Sequence, residues 1–397
     1  MTQQTIGGPE ANHVIHLISE ANPVLRDAGD VARLLRPEDP VLCFAPDRLT
    51  QAVRRFASFP GTVAYAVKAN PAKPVLRALA AAGINQFDTA SVDEIALVKS
   101  LAPDATCHYH NPVKSRAEIA RAFEQFGVRR FSVDHPAELN KICDVVGSRG
   151  PAEIAIRFRM TAHKGAVHDF STKFGAMPEH AAQLLRAAAE RGMRPLLTFH
   201  PGSQCIEPDA YRRHIKLAAE IAETAEVKLD ILNVGGGFPA RYPSLPTPAL
   251  EEIFAAILEA RDEAFPSHKP ALEAEPGRAL VCEAFSLLAQ VKLVKRDTAE
   301  IYLNDGIYGA LMEYSQTKRL SPPYRIIDPR QPLTCAYMAY GPTCDPLDCL
   351  PNAITGPDDL TEGDYIELGN VGAYGEATVT RFNGYGKLAT VTVESVV

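Results

Sequence analysis

The feature that most constrains the fold is a regular alternation of apolar and amphipathic segments between Val63 and Arg278. Short runs rich in β-branched and aromatic residues alternate with Ala-, Leu- and Arg-rich stretches of helical period. The predicted strands are Val63–Asn70, Gln86–Ser91, Thr106–Asn111, Phe131–Asp134, Glu153–Met160, Pro195–Ser203, Asp230–Gly237 and Ala271–Arg278. Strand–helix units in this order predict a parallel (β/α)8 barrel of the TIM type. An open doubly wound sheet is disfavoured because no nucleotide-binding glycine fingerprint follows the first strand.

The pattern changes after Arg278, where strands follow one another without long intervening helices. They are predicted over Ala284–Lys295, Glu300–Leu303, Arg325–Asp328, Cys335–Tyr340, Asp364–Leu368, Glu376–Arg381 and Leu388–Val396. This arrangement predicts a second, mainly antiparallel β domain. It also indicates the division of the chain: residues 1–45 as an N-terminal segment packing with the C-terminal domain, residues 46–278 as the barrel, and residues 279–397 as the β-rich domain.

Composition and charge exclude several classes of function. The formal net charge of -7 over 397 residues and a pI near 5.9 argue against a nucleic-acid or anionic-membrane surface. No apolar run is long enough to span a bilayer, and no Lys or Arg precedes Arg26, so we expect neither a transmembrane segment nor a signal peptide. The eight cysteines include no CxxC pair, which predicts no metal site and a reducing, cytoplasmic environment.

Polar and glycine residues collect at the predicted carboxyl ends of seven strands, where a barrel carries its active site. They are Lys68, Asp88 and Ser91, Asn111, Arg157, His200 and Ser203, Gly235 to Gly237, and Glu275 to Arg278. Each has a structural explanation when taken alone, such as a helix cap or a tight turn. A structural explanation of all of them would require a coincidence at seven strand ends.

Lys68 and the three glycines indicate the cofactor. Lys68 lies near the end of a buried apolar run, where desolvation favours the neutral amine that forms a Schiff base with an aldehyde. The backbone N–H groups of Gly235-Gly236-Gly237 can surround a phosphate, and Arg278 can add a charge-assisted hydrogen bond. No GxxxxGK[ST] sequence supports a nucleotide site. An aldehyde-binding lysine and a phosphate cradle together point to pyridoxal 5'-phosphate.

Three further residues acquire roles beside that cofactor. Glu275 can keep a pyridine nitrogen protonated, although Arg278 is only three residues away and either side chain could face the nitrogen. His200 can stack on the ring or can be a core histidine. A second site is predicted on a proline-flanked loop, where the thiol of Cys344 can protonate a substrate carbon after carbon dioxide leaves, and Asp345 can hold a cationic substrate tail.

Together these segments resemble the fold-type III, alanine racemase-like pyridoxal-phosphate decarboxylases, and within them the ornithine/lysine decarboxylase group. The resemblance covers nearly the whole chain. It is carried by Tyr65-Ala66-Val67-Lys68-Ala69-Asn70, Phe87-Asp88-Thr89-Ala90-Ser91, His200-Pro201-Gly202-Ser203, Gly235-Gly236-Gly237-Phe238-Pro239, Glu275-Pro276-Gly277-Arg278, Gly341-Pro342-Thr343-Cys344-Asp345 and Gly372-Ala373-Tyr374. The last two motifs separate this group from alanine racemases and diaminopimelate decarboxylases.

The resemblance implies a role for each matching residue. Lys68 is the Schiff-base lysine, His200 stacks on the ring and Glu275 contacts the pyridine nitrogen. Cys344 is the proton donor, and Asp345 contacts the distal amine. The phosphate ligands are Ser203, Gly237, Arg278 and Tyr374, and the remaining cofactor-binding residues are Asp88, Arg157, Gly236 and Gly277. The resemblance also implies a head-to-tail homodimer with shared active sites, and a mobile loop over Met160–Thr172.

One departure leaves the substrate open. Eukaryotic members of the group carry a Tyr-Asp pair that helps to grip the substrate amine, and the matching region here reads Ala310-Leu311-Met312-Glu313-Tyr314-Ser315. Glu313 is the candidate replacement, and Tyr374 also borders the expected substrate site. We expect L-ornithine as substrate, with putrescine formed for polyamine biosynthesis, and L-lysine or both substrates as the alternative. Diaminopimelate-type decarboxylation, racemisation and a non-catalytic regulatory role are less favoured because the lysine, cysteine and phosphate glycines are all retained.

Overall fold

A computed structural model of the protein describes residues 25–147, 150, 152–160, 166–168, 173–316 and 318–397. The predicted mobile loop over Met160–Thr172 lies largely outside the described residues. Within the described part of the chain, no helix combines the length and the apolar character needed to cross a bilayer.

Eight parallel strands form a closed barrel, as the alternating pattern predicted. They are Gly61–Ala66, Gln86–Thr89, Thr106–Tyr109, Arg130–Val133, Glu153–Arg157, Arg194–Thr198, Ile231–Asn233 and Ala271–Ala274. The barrel closes where the eighth strand pairs with the first, with Leu272 opposite Gly61. All eight carboxyl ends therefore meet at one mouth, which is the physical reason that residues distant in sequence share a site.

Helices cover the outside of the barrel. Pro46–Phe56 precedes the first strand, and Lys73–Ala81, Val92–Leu101, Arg116–Gln125, Pro136–Val146, Pro178–Glu190, Pro208–Ala225 and Leu250–Ala264 follow in the crossovers. Most begin with proline in the first turn, where the missing N–H costs no hydrogen bond. The side chain of Ser91 caps Val92–Leu101 by accepting a hydrogen bond from the Glu94 N–H at 3.2 Å.

Several strands are shorter than their apolar runs predicted, and this changes the setting of Lys68. The first strand ends at Ala66, and Lys68 lies on a 3₁₀ turn, Val67–Ala69. The chain leaves the ladder here because its backbone groups find other partners. The Ala66 N–H donates to the Pro276 carbonyl at 3.1 Å, and the Ala69 carbonyl accepts from the Tyr374 N–H at 2.8 Å. The predicted strand Ala271–Arg278 likewise stops at Ala274.

The second domain is a mainly antiparallel sheet. Its strands are Val41–Phe44, Phe285–Lys295, Glu300–Leu303, Tyr324–Ile326, Leu333–Tyr340, Ile354–Pro357, Tyr365–Gly369 and Ala389–Thr392. The N-terminal strand Val41–Phe44 pairs antiparallel with Phe285–Lys295 and parallel with Ala389–Thr392. The strand predicted over Glu376–Arg381 is wrong, since that segment contains only the short 3₁₀ turn Glu376–Thr378. The strand Ile354–Pro357 was not predicted.

The two domains meet beside the barrel mouth. The helix Arg278–Val281 links the eighth barrel strand to the β domain. From that domain the Gly372–Tyr374 segment returns to the first barrel strand, where the Asn70 side-chain amide donates to the Gly372 carbonyl at 2.8 Å. Residues from the β domain are thereby held next to Lys68.

Candidate active site

A cavity of about 250 Å³ lies at the carboxyl ends of the barrel strands. Six of the residues predicted at strand ends line it, namely Lys68, Asp88, Asn111, Arg157, His200 and Glu275. The cavity is also lined by His110, which follows the third strand, and by Lys173 and Phe174 from the loop after the fifth strand. The barrel topology has thus brought together residues that are spread over about 200 positions of the sequence.

Lys68 faces this cavity with 46% of its side-chain surface exposed, and its Nζ lies 3.6 Å from Oδ2 of Asp88. Enclosure by protein atoms lowers the pKa of Lys68, but the interaction with Asp88, followed by those with Tyr374 and Glu275, raises it by more, so the net pKa is above its ordinary value. Desolvation alone predicted an easily deprotonated amine. The structure corrects that expectation, since the nearby carboxylates stabilise the charged form.

Glu275 follows the eighth strand and is 9% exposed. Its Oε1 accepts a hydrogen bond from the side-chain amide of Asn233 at 2.6 Å and makes a very short contact with Nδ1 of His110. Burial raises the pKa of Glu275, but His110, Lys68 and Asn233 outweigh it and hold that pKa well below its usual range. Glu275 is therefore a buried carboxylate anion.

His110 was missed by sequence reasoning. It directly precedes Asn111, which was predicted as a site residue from its place at a strand end. It also lies on the same face of the chain as His108, and the two ring centroids are 5.5 Å apart. Burial lowers the pKa of His110, whereas Glu275 and Asp88 raise it, and the net shift is upward. The period-2 alternation of the third strand could have placed His110 in the barrel interior, but not against Glu275.

His200 lines the cavity and packs against the backbone of Gly236, in the segment Gly235–Gly237 that we call the glycine wall. Its Nδ1 accepts a hydrogen bond from the Gly202 N–H at 3.1 Å. Burial, together with the charges of Lys68 and Arg157, holds the pKa of His200 well below its ordinary value, so the ring is neutral. A Cβ on Gly236 would lie 3.1 Å from Nε2 of His200 and 2.8 Å from the Glu275 carbonyl oxygen. Only glycine lets the imidazole and the backbone approach this closely.

A second polar cluster surrounds Arg278, which is 4% exposed. Its guanidinium donates to the Tyr242 hydroxyl at 3.0 Å, to Oγ of Ser203 at 3.2 Å and to Oε1 of Glu313 at 2.6 Å, and it lies 5.3 Å from the ring centre of Tyr374. The buried Nε of Arg278 has no hydrogen-bond partner among the described residues. This guanidinium is suited to an anion, since burial strengthens its hydrogen bonds.

The Arg278 cluster lies close to Lys68 because of Gly277. A Cβ on Gly277 would be 2.9 Å from the Cβ of Ala69 and 3.3 Å from that of Ala66, the neighbours of the Lys68 turn. Gly237 is required for a different reason, since its backbone has a φ of +87° and an added Cβ would lie 2.4 Å from the Gly202 carbonyl oxygen.

The structure places Glu313 differently from its expected role at a substrate amine. Glu313 is 8% exposed and forms a buried ion pair with Arg278. This contact corrects the expectation, because the carboxylate is engaged by the guanidinium of the anion cluster. Tyr242, which also contacts Arg278, was not identified from the sequence, where nothing separates it from a core tyrosine.

Cys344 and Asp345 are not among the described residues that line the cavity of their own chain. Cys344 is exposed, and its N–H donates to the side-chain oxygen of Asn383 at 3.1 Å. Asp345 accepts a very short hydrogen bond from the Tyr308 hydroxyl and one of 2.9 Å from the Leu347 N–H. The loop is thus well ordered by hydrogen bonds while it presents a thiol and the 72% exposed Leu347 to the outside.

The acidic cluster next to Lys68 contains groups of the kind that bind metal cations. Ligand atoms of Asp88, His110 and Glu275 lie within 4.8 Å of one another. The positive charges of Lys68 and Arg157 line the same cavity and disfavour a divalent cation there. The raised pKa of His110 favours a proton on this ring, which offsets the negative charge of the cluster.

Comparison with known proteins identifies the family. The sequence model described as "Pyridoxal-dependent decarboxylase, pyridoxal binding domain" matches residues 47–282. The chain belongs to the pyridoxal-dependent decarboxylase family. It is accordingly a carboxy-lyase whose cofactor is pyridoxal phosphate.

Individual decarboxylases of known name and structure resemble most of the chain. Ornithine decarboxylase of Caenorhabditis elegans is 34% identical over 354 residues, covering 83% of this chain and 81% of the worm protein. Lysine/ornithine decarboxylase of Selenomonas ruminantium is 32% identical over 340 residues, covering 84% and 83%. The lysine/ornithine decarboxylase of Vibrio vulnificus, solved with putrescine and also with cadaverine, superposes in the putrescine complex with a TM-score of 0.78 at 29% identity, covering 91% and 96%.

The decarboxylase site fits its cofactor on three independent features. An amine faces the cavity at Lys68, a glycine backbone packs against the imidazole of His200, and a buried guanidinium at Arg278 retains an unpartnered Nε. A phosphorylated aldehyde with an aromatic ring needs these groups: a nucleophile, a flat wall and an anion site.

Replacing Gly236 with alanine tests the glycine wall. We expect Gly236→Ala to weaken pyridoxal phosphate binding at least about tenfold, or about 1.4 kcal/mol, because the added Cβ displaces His200 or the Glu275 backbone. The measurement is titration of the visible cofactor absorbance. Gly192→Ala is the matched control, since Gly192 has a φ of +72° and open space around it. It should lower stability by about 1 kcal/mol without changing cofactor affinity; equal affinities for wild type and Gly236→Ala would contradict the assignment.

Asp305 gives a pH-dependent prediction for the segment that supports the Cys344 loop. Asp305 is 2% exposed, and burial together with the charge of Asp348 raises its pKa to about 7 despite hydrogen bonds from Ala310 and Gly306. Between about pH 4 and 7 the native state keeps a proton that the unfolded state has released. The contribution of Asp305 to the free energy of unfolding is therefore fully present below about pH 4 and is lost as the pH rises to about 7.

We expect the free energy of unfolding to fall by up to about 4 kcal/mol over that range through Asp305. Urea denaturation between pH 4 and 8 measures the slope, and Asp305→Asn should remove this contribution. Asp93→Asn is the control, because the Asp93 side chain is 96% exposed. An unchanged slope in Asp305→Asn would show that the carboxyl is ionised throughout.

Proposed function

We propose that this decarboxylase acts on L-ornithine and forms putrescine for polyamine biosynthesis, working as a homodimer. The observation that carries the proposal is a cofactor site with Lys68 and Glu275 in one chain, combined with an acidic residue, Asp345, displayed beside an exposed thiol. The names of the relatives support the substrate class, since they act on ornithine or on lysine and ornithine.

The chain's own residues have distinct tasks around the cofactor. Lys68 would hold the cofactor through its aldehyde carbon, and the imidazole of His200 would pack against the ring. The phosphate would be held by Arg278, Ser203, Tyr374 and the N–H groups of Gly236 and Gly237, and the close approach of Gly277 brings Arg278 near Lys68. The bound pyridoxal ring supplies an electron sink for the pair left when the Cα–carboxylate bond breaks.

Glu275 and Asp88 set the charge of the site. Glu275 as an anion would keep the ring nitrogen of the bound cofactor protonated, which would make the ring a stronger acceptor of electrons. Asp88 lies 3.6 Å from Nζ of Lys68 and holds this amine at the cavity wall. Arg157 lines the same cavity, contributes a positive charge, and attracts the substrate's carboxylate.

Cys344 and Asp345 act in the partner's site. They lie outside the cavity of their own chain, on a loop that is held by hydrogen bonds and yet exposes the thiol. A second copy would bring Cys344 to the substrate carbon as proton donor and Asp345 to the distal amine. Because Glu313 is paired with Arg278, Asp345 is the main carboxylate for that amine, and Tyr374 borders the substrate from the cofactor side.

Lysine is the second candidate substrate. A single carboxylate that contacts the distal amine tolerates one extra methylene more readily than two carboxylates at a set spacing would. Two relatives are named for both substrates. We also infer a cytoplasmic location, since all eight cysteines are free thiols and Cys344 is exposed, which suits a reducing compartment.

Decarboxylation rates across a panel of substrates test the function. Carbon dioxide release should be fastest with L-ornithine, slower with L-lysine, and at least about a hundredfold slower with L-arginine and diaminopimelate, whose distal groups do not match the distance to Asp345. Comparable kcat/KM values for L-lysine and L-ornithine would show that the enzyme uses both substrates, and would overturn the preference for ornithine. Formation of the D-amino acid without any diamine product would refute decarboxylation.

Mixing two inactive variants tests the shared site. Lys68→Ala should remove the visible absorbance and the activity, and Cys344→Ala should retain the absorbance and lose most of the activity. In an equimolar mixture, statistical exchange gives half heterodimers, each with one intact site, so activity should recover to roughly a quarter of wild type. Cys335→Ala, a change at another partly exposed thiol, is the matched control and should keep its activity. No recovery after confirmed subunit exchange would contradict the shared site.

A further inference from the structure

The interior of the barrel contains a chain of polar side chains that the proposed function does not use. Barrel interiors are usually filled by layers of branched apolar residues. Here Arg130, Asn233 and Glu273 are 5%, 0% and 4% exposed, on the fourth, seventh and eighth strands. Burying such groups is costly unless each is paired, so their presence requires an explanation.

Each member of the chain is paired with the next. Nη1 of Arg130 donates to both carboxylate oxygens of Glu273 at 2.6 and 2.5 Å. The side-chain amide of Asn233 then donates to Oε1 of Glu273 at 2.9 Å and to Oε1 of Glu275 at 2.6 Å. Its other end, Oδ1, accepts from the Gly235 N–H at 2.7 Å, so the amide orientation is set by the backbone. The chain therefore ends on the Glu275 carboxylate.

His110 reaches the same oxygen from the other side. Its Nδ1 contacts Oε1 of Glu275, and because an ionised carboxylate can only accept, His110 is the donor. The ring also stacks on that of His108, with the centroids 5.5 Å apart, and Nε2 of His108 is 3.0 Å from the side-chain oxygen of Gln86. Both donors use Oε1, which leaves Oε2 of Glu275 to accept from another N–H.

We propose that His110 and Asn233, with Asn233 anchored by the Arg130–Glu273 pair, are positioning residues that hold Glu275 by Oε1 so that Oε2 receives the N–H of the cofactor ring. This inference rests on the proposed role of Glu275. Two donors to one oxygen stabilise the anionic carboxylate and lower its affinity for a proton. A proton shared between the ring nitrogen and Glu275 consequently stays on the nitrogen, which the reaction requires.

The closing experiment measures the ring nitrogen directly in the holoenzyme. Protein is loaded with pyridoxal phosphate that carries ¹⁵N in the ring, and the ¹⁵N chemical shift reports protonation. We expect His110→Ala to move the resonance toward that of unprotonated pyridine and to lower kcat about tenfold, about 1.4 kcal/mol, with little change in KM. His110→Asn, whose amide can donate from nearly the position of Nδ1, should recover most of both quantities.

His108→Ala is the matched control, since it removes a stacked imidazole from the same strand without removing a bond to Glu275. It should leave the resonance at the wild-type position. A resonance that moves equally in His108→Ala and His110→Ala would overturn the proposal, because packing alone would then explain the effect. Thermal melts of each holoenzyme verify folding, and His110→Asn carries the test if His110→Ala does not fold.

A double-mutant comparison separates this inference from the proposed function. If His110 acts through Glu275, the double variant His110→Ala, Glu275→Gln should have the same kcat as Glu275→Gln alone. Additive losses would overturn the inference. A Glu275→Gln enzyme with wild-type kcat and resonance would instead refute the role of Glu275 itself. A strong effect of Glu275→Gln with none from His110→Ala would refute only the positioning role.

Discussion

The site depends on one electrostatic constraint: the charge of a buried carboxylate at the barrel mouth must be stabilised by protein groups, because little water reaches it. Glu275 is 9% exposed and meets this constraint through Asn233, His110 and Lys68. An isolated buried carboxylate would take up a proton, because desolvation disfavours the charged form. These three residues come from the end of the third strand, from the seventh strand and from the turn after the first strand. Only a closed barrel brings these three places to one point.

Close packing around the cavity explains why glycines are needed at its edge and why the second domain contacts the barrel there. Gly236 lets the His200 ring pack on the backbone, and Gly277 lets the Arg278 cluster approach the Lys68 turn. The β domain then supplies Tyr374, whose N–H binds the Ala69 carbonyl and whose ring lies beside Arg278. The amine of Lys68 and the buried guanidinium of Arg278 are in this way fixed near each other by the folded backbone, which is a form of preorganisation.

Much of this could be predicted from the sequence. The alternation of strand and helix periods gave the barrel, and the rule that active sites lie at carboxyl strand ends selected Lys68, Asp88, Arg157, His200 and Glu275 before their contacts were known. The strand limits were less accurate, because an apolar run continues past the last ladder hydrogen bond. Thus the first strand stops at Ala66, where tertiary partners replace the ladder.

The sequence by itself determined the periodic pattern, the residue types at the strand ends and the glycines that a close backbone approach needs. Only the tertiary structure decided which of these groups touch. It paired Glu313 with Arg278 instead of leaving it for an amine, raised the pKa of Lys68 where burial alone would lower it, and brought His110 to Glu275 across 165 positions. The physical reason is that charge interactions and burial depend on distances in space, and barrel closure sets those distances between residues that no local pattern connects.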